Sequence, residues 1–487
     1  MTEAHANPHH ERRWLILAVL GLAQLMVVLD ATIVNIALPS AQKALHFSDA
    51  NRQWIVTAYA LAFGSLLLLG GRLGDMFGRK RALIVGLAGF SVASAVGGFA
   101  QSFEVLVIAR ALQGAFGALL APSALSLLST IFSDPAERGK AFGIYGAIAG
   151  GGGAIGLLLG GVLTEYLSWR WCLYVNLLLA VPATFAALAL LHNQAQRSVV
   201  KVDVPGTLAA SGGLFALVYG FSNAQTHGWG ATLTIGMLAA SVVLLAIFVV
   251  IERRVEHPLL PLRVVLDRNR GGSYAAVGIV GVGMFGVFLF LTYYLQQTLG
   301  FSPIKTGLAF LPMIAVLSVV ATLATARILP RIGPRLPMTL GMLVAAGGML
   351  MLTGVGVQST YAASVLPALL VIGAGIGLVM APAMNTATLG VESTDAGVAS
   401  ATVNTMQQVG GSVGTALLST LAASATSGIM AGKAATPTLA TQAAVHGYTT
   451  AFWWSAAIFA IGAIVCGLLL RPGVQAVEPA AEPVLVH

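Results

Sequence analysis

The sequence predicts an all-α integral membrane protein with fourteen transmembrane helices, arranged as two six-helix bundles with pseudo-twofold symmetry plus two inserted central helices. The chain of 487 residues is 57% hydrophobic and only 9% charged, whereas a soluble protein carries roughly 25% charged residues. Its apolar runs have the length of a membrane-spanning helix. Its Lys and Arg residues are concentrated in alternate loops, as in multi-pass membrane proteins.

The apolar runs fall into groups of six, two and six. They lie at about 14–37, 54–70, 82–100, 105–129, 141–163, 171–191, 205–222, 231–251, 273–295, 306–326, 338–357, 361–383, 396–423 and 449–470. The first run is longer than the apolar core of a cleaved signal peptide, so we expect it to be retained as a span. The predicted parts are a cytoplasmic tail (1–13), an N-terminal bundle (14–191), a linker with the two extra helices (192–272), a C-terminal bundle (273–470) and a second cytoplasmic tail (471–487).

Positive charge predicts the orientation. With the N-terminus inside, 19 of the 25 Lys and Arg residues fall in inner segments, five fall in outer segments, and Arg110 alone lies within a span. Cytoplasmic loops of membrane proteins are enriched in these residues, so both termini are predicted to be cytoplasmic in a plasma or bacterial inner membrane. The net charge of +8 therefore marks one face of a membrane and does not indicate nucleic-acid binding.

The two groups of six are related by an internal repeat. Arg72 and Gly78 align with Arg327 and Gly333 at a separation of 255 residues. Two weaker matches have similar separations: Pro122 corresponds to Pro382, and the glycines at 152, 153 and 156 correspond to those at 410, 411 and 414. Internal repeats that pack about an interface are typical of secondary transporters.

Four motifs in the first half of the chain indicate a family. They are L-D-A-T-I-V-N-I-A-L-P at 29–39, G-R-L-G-D-M-F-G-R-K-R at 71–81, R-A-L-Q-G at 110–114, and a glycine-rich motif that ends in G-L-L-L-G-G at 161. In these motifs and in its span count the chain resembles the major facilitator superfamily, specifically the fourteen-span drug:proton antiporter branch. The resemblance implies a proton-coupled secondary transporter that exports small molecules by alternating access.

Two residues depart from the family pattern. Leu157 follows Gly156 where the family usually has proline, and Leu178 replaces another common proline. The glycine-proline pattern is associated with exporters, so Leu157 leaves open an uptake permease or a lipid or metabolite carrier on the same fold. A membrane receptor or scaffold without transport is the alternative from another class.

Asp30 places a carboxylate in the most apolar part of the first span, where a charge costs at least ~2.5 to 3.5 kcal/mol. Arg110 lies at a similar depth in the fourth span, and the family fold puts these two spans beside one cavity. We predict that Asp30 exchanges a proton for substrate and that Arg110 tunes this exchange; a static structural pair is the alternative. No other acid lies deep in a span, and in the second half of the repeat the position equivalent to Arg110 is Leu370. Proton coupling is therefore predicted to be confined to the first bundle.

The loop after the second span is predicted to act as a conformational latch. Its residues are Gly71, Arg72, Asp75, Gly78 and Arg79. Glycines permit tight turns, and Asp75 can accept charge-assisted hydrogen bonds from the arginines. The alternative is a plain positive anchor on the cytoplasmic side.

A glycine stripe in the fifth span is predicted to pack closely against another helix. Gly152, Gly156 and Gly160 recur every four residues and so lie on one helix face. The family fold places the facing helix in the other bundle, where the stripe would seal the outer cavity. Ordinary packing within one bundle remains the alternative.

Polar residues near the charged pair are candidates for a substrate cavity. Gln24, Asn35 and Gln113 lie in apolar spans and are expected to face the protein interior. Asp30 is the single acid predicted deep in a span, and it is assigned to proton exchange, so no further carboxylate remains to balance a multiply charged substrate. The expected substrates are therefore lipophilic compounds that are neutral or singly cationic, such as drugs or metabolites. A monomer in the lipid bilayer is expected.

Enzymatic and metal sites are not predicted. The fingerprint G-V-G-M-F-G at 281–286 and the motif G-G-S-V-G at 410–414 both lie within membrane spans, outside the strand and turn context that their chemistry needs. Cys172 and Cys466 lie in separate apolar runs. We therefore expect no catalytic residue, no metal and no cofactor, with the proton gradient as the energy source.

Overall fold

The computed structural model describes residues 12–48, 51–132, 135–191, 203–255, 258, 260, 262–391, 396–431, 434 and 436–474. Every regular element in these ranges is a helix. In the same ranges, twelve helices are long and apolar enough to cross a membrane. The chain is therefore an all-helical, multi-pass membrane protein, as predicted.

Six long helices form the N-terminal bundle. They are α1 (Arg13–Leu45), α2 (Gln53–Phe77), α3 (Arg79–Gly98), α4 (Phe103–Ile131), α5 (Pro135–Tyr166) and α6 (Trp171–Leu190). Two helices follow that pack on each other, α7 (Val204–His227) and α8 (Thr232–Glu252). The first turn of α7 is capped by Asp203, whose Oδ1 accepts from the backbone N–H of Gly206 at 2.9 Å.

The second half of the chain repeats this arrangement of six long helices and adds two short helices, α9 and α12. Its helices are α9 (Leu262–Leu266), α10 (Arg268–Gly286), α11 (Pro303–Leu323), α12 (Leu329–Ile332), α13 (Arg335–Leu352), α14 (Leu366–Thr388), α15 (Ala396–Met430) and α16 (Pro437–Leu469). Two π-helical segments, Val287–Leu291 and Tyr294–Thr298, continue α10. Such segments are rare and are frequent at functional sites.

Helix packing follows the internal repeat. When α1 to α6 are matched in order with α10, α11, α13, α14, α15 and α16, the main packing pairs of one bundle have counterparts in the other. Gly78 and Gly333, aligned by sequence, both have positive φ, at 94° and 75°. Only glycine adopts that backbone conformation without strain, so both positions need it.

The glycines of the repeat make equivalent contacts. Gly152 of α5 lies against Val28 of α1, and Gly410 of α15 lies against the backbone of Gly278 in α10. Since α10 is the counterpart of α1, each glycine holds its helix against the equivalent partner. The repeat therefore reflects the packing within each bundle.

Contacts between the bundles lie along two interfaces. At the first, α5 packs against α11; at the second, α2 packs against α15. Helix α7 packs against both α2 and α15, so the inserted pair lies beside the second interface. Helix α8 exposes apolar side chains such as Val242, which is 69% exposed. In a membrane these side chains would face lipid.

We expect Gly410→Ala to lower the melting temperature of the purified protein in detergent. The added Cβ would collide with the carbonyl oxygen of Gly278, and overpacking of a core contact costs ~1–3 kcal/mol. Gly428→Ala on the same helix is the matched control, because nothing lies within 4 Å of its added Cβ. Equal melting temperatures of the two variants would contradict the close packing of Gly410 against α10.

Candidate functional site

Asp30 and Arg110 form a buried ion pair. Asp30 lies on α1 and is 0% exposed, and Arg110 lies on α4 and is 2% exposed. The Nη1 atom of Arg110 is 2.5 Å from Oδ2 of Asp30. The sequence prediction that two charges of similar depth meet is consistent with this geometry.

Two amides complete the surroundings of the carboxylate. Gln113 of α4 and Asn176 of α6 each donate to Oδ1 of Asp30, at 3.0 and 2.8 Å. Ser94 of α3 in turn accepts from both amides, at 2.6 and 3.2 Å. Four helices therefore contribute to one hydrogen-bond network around the carboxylate.

Arg110 is held by three further contacts. Its Nε donates to the carbonyl oxygen of Ile55 at 3.1 Å, and its Nη1 also donates to Oε1 of Gln113 at 2.9 Å. Its guanidinium lies 4.4 Å from the ring centroid of Tyr59. Such cation–π contacts stabilise a desolvated guanidinium.

Gly114 explains why α4 can approach α2 at this point. It follows Arg110 by about one helical turn, and a Cβ at this position would collide with the carbonyl oxygen of Tyr59. The R-A-L-Q-G motif therefore supplies the cation, an amide and the small residue that brings the cation to the backbone of α2.

The site fits an ionised Asp30. The three described neighbours of the carboxyl group, on Arg110, Gln113 and Asn176, are all hydrogen-bond donors. An ionised carboxylate only accepts, whereas a protonated one must also place its own hydrogen. Removing one partner of such a buried pair leaves an uncompensated charge. Protonation of Asp30 would therefore remove the charge that balances Arg110.

A small cavity adjoins the pair. Its volume is about 10 Å³, and Arg110 and Cys172 form part of its lining together with apolar side chains such as Ile55 and Trp169. That is about the room needed by one water molecule. Drug-sized ligands need cavities of roughly 300 Å³ or more. This cavity is consequently too small for them.

Only one of the three predicted cavity residues joins the charged network. Gln113 does so, as described above. Gln24 accepts a hydrogen bond from the Tyr145 hydroxyl at 2.8 Å, which links α1 to α5. Asn35 donates to the carbonyl oxygen of Ala31 at 3.1 Å on its own helix. Gln24 and Asn35 thus lie apart from the pair.

The predicted latch residues lie at the end of α2 and the start of α3. Arg72 donates to the carbonyl oxygen of Pro258 at 3.3 Å, and Arg79 donates to that of Ser126 in α4 at 3.4 Å. Gly71 lies beside Pro122 of α4, and Gly78 forms the turn between the helices. The side chain of Asp75 lies outside the described residues, so its role stays a prediction.

The glycine stripe of α5 packs within its own bundle. Gly156 faces Thr32 and Gly160 faces Ile33, both on α1, as Gly152 faces Val28. The expectation that these three glycines seal the two bundles is therefore corrected, and the alternative of packing within one bundle applies. The reason is the face they occupy: Gly161, one residue beyond the stripe, is the glycine that lies against Ile304 of α11.

Sequence reasoning did not place Ser94 and Asn176 in the site, nor Tyr59. Asn176 is a polar residue within an apolar run, but a polar residue there can also serve helix packing alone. The available signal was its place in the W-R-W-x-x-x-x-N stretch that begins at Trp169. A serine and a tyrosine in apolar helices gave no comparable signal.

Side chains link the bundles at the predicted outer end. The Tyr293 hydroxyl donates to Oε1 of Gln42 at 2.8 Å, and the guanidinium of Arg52 lies 4.0 Å from the Tyr293 ring centroid. The amide of Gln296 donates to the carbonyl oxygen of Ile36 at 3.2 Å. Gln296 lies in the second π-helical segment, and Tyr293 directly precedes it. This part of the C-terminal bundle is therefore joined to α1.

Glu165 adds a contact at the same end. Its Oε2 accepts from the backbone N–H of Ile304 at 3.0 Å, at the first turn of α11. A carboxylate at a helix N-terminus is favoured by the helix dipole. One bundle thus caps a helix of the other.

Comparison with known proteins identifies a family and close relatives. Residues 20–415 match the Major Facilitator Superfamily. The chain is 49% identical over 469 residues to the puromycin resistance protein pur8 of Streptomyces alboniger, covering 96% of this chain and 93% of that protein. It is 39% identical over 409 residues to the cephamycin export protein CmcT of Amycolatopsis lactamdurans, covering 83% and 84% of the two chains.

Solved structures share the fold. A bacterial homolog of the human lysosomal transporter Spinster, in an inward-facing and unoccupied conformation, matches with a TM-score of 0.66 at 17% identity. The match covers 94% of this chain and 96% of that one. At this identity the likeness concerns the fold alone.

We expect Arg110→Met to lower the melting temperature strongly, because it leaves Asp30 buried without its cation. Breaking a buried pair in this way costs about 3–5 kcal/mol. Adding Asp30→Asn should restore part of the loss, since the double variant buries no charge. Arg331→Met, at an exposed arginine of α12, is the control and should change little. Equal losses in the single and double variants would show that the two charges are not coupled.

Proposed function

The chain belongs to the Major Facilitator Superfamily and is a membrane transporter rather than an enzyme, and we propose that it exports antibiotic-like small molecules in exchange for protons. The observation that carries the proposal is the buried carboxylate of Asp30, which three donors surround in an apolar span. Buried ionisable groups in membrane helices are typical of proton relays.

The proposal includes fourteen membrane spans and cytoplasmic termini. Helices α2 and α5 would cross the membrane in addition to the twelve candidate spans, since their counterparts in the repeat, α11 and α15, are among those candidates. The distribution of Lys and Arg supports termini on the inside. The two bundles would rock about a central cavity, as a monomer and without a cofactor.

Export would follow from a change of charge at Asp30. In the described conformation the outer contacts are closed and Asp30 is surrounded by donors, which fits a state that has released its proton to the cytoplasm. Opening to the outside would let a proton enter and neutralise Asp30. The amides and Arg110 would then lose their acceptor, and this loss would favour release of the substrate.

The substrate class is expected to be lipophilic and either neutral or singly cationic. Asp30 is the described acid within the buried network, and it already pairs with Arg110. Among the residues that the structure describes, no second carboxylate joins that network to balance a multiply charged cation. The names of the relatives, which refer to puromycin resistance and to cephamycin export, support antibiotics as the substrate group.

The names of the relatives also favour export over uptake. From the sequence alone, Leu157 in place of the usual proline leaves the direction of transport undecided. Its side chain is fully buried, and its carbonyl oxygen lies against Gly307 of α11, so it occupies the interface between bundles. A leucine therefore fits the packing where the family usually has proline.

We expect Asp30→Asn to abolish transport driven by a pH gradient while leaving folded protein in the membrane. Asparagine keeps the shape of the side chain but does not exchange a proton. Purified protein in lipid vesicles, loaded with puromycin or another candidate compound, would report flux on imposing the gradient. Glu104→Gln, at an exposed acid on the first turn of α4, is the matched control. Undiminished coupling in Asp30→Asn would refute the proposal.

We expect Tyr293→Phe to shift the protein toward an outward-open state, since it removes the hydrogen bond to Gln42 across the bundles. One hydrogen bond contributes ~0.5–1.5 kcal/mol, so the ratio of states should change roughly two- to tenfold. Tyr294→Phe is the control, because its hydroxyl donates to Gly356 within the same bundle.

Distances between spin labels at the predicted outer end would measure this shift. Leu167→Cys and Val357→Cys lie in different bundles at exposed positions, and the native Cys172 and Cys466 are fully buried. A longer distance in Tyr293→Phe than in Tyr294→Phe is expected. The same distance in both variants would contradict a closing role for Tyr293.

A further inference from the structure

Polar side chains that share one interface have no hydrogen-bond partner among the described residues. We name this group the polar seam; its members are Gln53 and Thr57 on α2, Thr405, Ser412 and Ser419 on α15, and Ser222 on α7. Each of the six residues is at most 7% exposed. Buried polar groups are normally hydrogen-bonded, so such a cluster needs an explanation.

Helix geometry places the polar seam between the bundles. A Cβ added at Gly64 of α2 would lie 3.3 Å from Cβ of Gln408, which fixes the facing sides of α2 and α15. Gln53 and Thr57 precede Gly64 by eleven and seven residues, which are whole turns of an α-helix. They therefore lie on the face of α2 that meets α15.

The members on α15 and α7 face the same way. Ser412 and Ser419 follow Gln408 by four and eleven residues, so they lie on the face that meets α2. On α7, Ser222 lies less than one turn beyond Tyr219, whose ring is 6.0 Å from that of Trp54 on α2. The three helices thus place hydroxyl and amide groups along one interface.

Hydroxyls of neighbouring residues behave differently. Thr402 and Thr415 of α15 donate to the carbonyl oxygens of Val398 and Gly411 at 2.8 Å, which is the usual arrangement of Ser and Thr in a buried helix. Thr405 does not, although it is as buried as Thr402, at 7% exposure. The seam hydroxyls therefore lack the bond to their own helix that their neighbours make.

We propose that the polar seam is a binding site for ordered water between the two bundles, closed on the lipid side by α7. The groups are neutral donors and acceptors, so the ligand must be small, neutral and able to do both. Water bridges otherwise unsatisfied buried groups in this way, with two to four hydrogen bonds each. Lipid cannot supply such bonds, which gives the inserted helix a role as the wall of the site.

The bound water has a consequence for movement. Water can exchange partners as α2 slides past α15, so the seam hydroxyls stay satisfied in both conformations. This consequence rests on the alternating-access mechanism proposed above, whereas the water site itself does not.

Thr405→Val tests the site through the sign of a change in melting temperature. If water binds the hydroxyl, the variant loses that hydrogen bond and melts at a lower temperature. If the seam is dry, the variant removes an unsatisfied group and melts at a higher temperature. Thr402→Val, equally buried but bonded to its own helix, is the matched control. A rise in Thr405→Val relative to the control would overturn the proposal.

An experimental structure that resolves water gives the second readout. Density peaks at about 2.5–3.0 Å from the hydroxyls of Thr57, Ser412 or Ser419 are expected. Side-chain hydrogen bonds directly across the interface, with no such peaks, would overturn the site.

Turnover tests the consequence for movement separately. The double variant Ser412→Ala and Ser419→Ala should transport several-fold more slowly under a pH gradient, whereas Ser455→Ala, at a serine bonded to Ala451 on α16, should not. Unchanged turnover with density still present would reject the sliding role and keep the water site. Loss of coupling in Asp30→Asn, by contrast, reports only on the proton exchange.

Discussion

The buried ion pair of Asp30 and Arg110 is the constraint on which the N-terminal bundle depends. A charge in an apolar interior is tolerated only with a partner and with its remaining hydrogen bonds satisfied. Here the carboxylate draws donors from α4 and α6, and Ser94 of α3 supports both amides. Four helices must therefore keep their registers for one side chain. A group that holds four helices together when ionised is well placed to change their packing when it is neutralised.

The internal repeat separates that constraint from the scaffold that both halves share. Both bundles use glycines to bring equivalent helices together, as Gly152 does against α1 and Gly410 against α10. The charge has no such counterpart: the position that matches Arg110 is Leu370, which is 36% exposed. The scaffold is therefore shared by the two halves, while the buried charge pair of the described residues belongs to the first half.

The charge pair and the close helix contacts could be predicted from the sequence, because each depends on one residue type whose role is restricted. A charge in an apolar run has few tolerable environments, so Asp30 and Arg110 could be paired by depth, and a glycine repeat implies close helix contact. The direction of that contact could not be predicted, because Gly160 and Gly161 differ by one residue and by about 100° around the helix, which sends one to α1 and the other to α11. Ser94 and Asn176 were missed for a related reason, since a polar residue in a span can equally bond its own helix.

The chemistry of the two bundle interfaces explains where the inserted helices lie. On α11, the hydroxyls of Thr306 and Ser318 donate to the carbonyl oxygens of Ser302 and Ile314 at 2.9 Å each. The carboxylate of Glu165 on α5 accepts from the backbone N–H of Ile304 on α11 at 3.0 Å. These described polar groups of the α5–α11 interface therefore have partners within the protein. The interface of α2 with α15 instead contains Thr57 and Ser412, whose hydroxyls no described residue satisfies. Exposed to hydrocarbon, such groups would find no partner. The inserted helix pair therefore covers an interface whose unsatisfied groups the bilayer could not supply with hydrogen bonds.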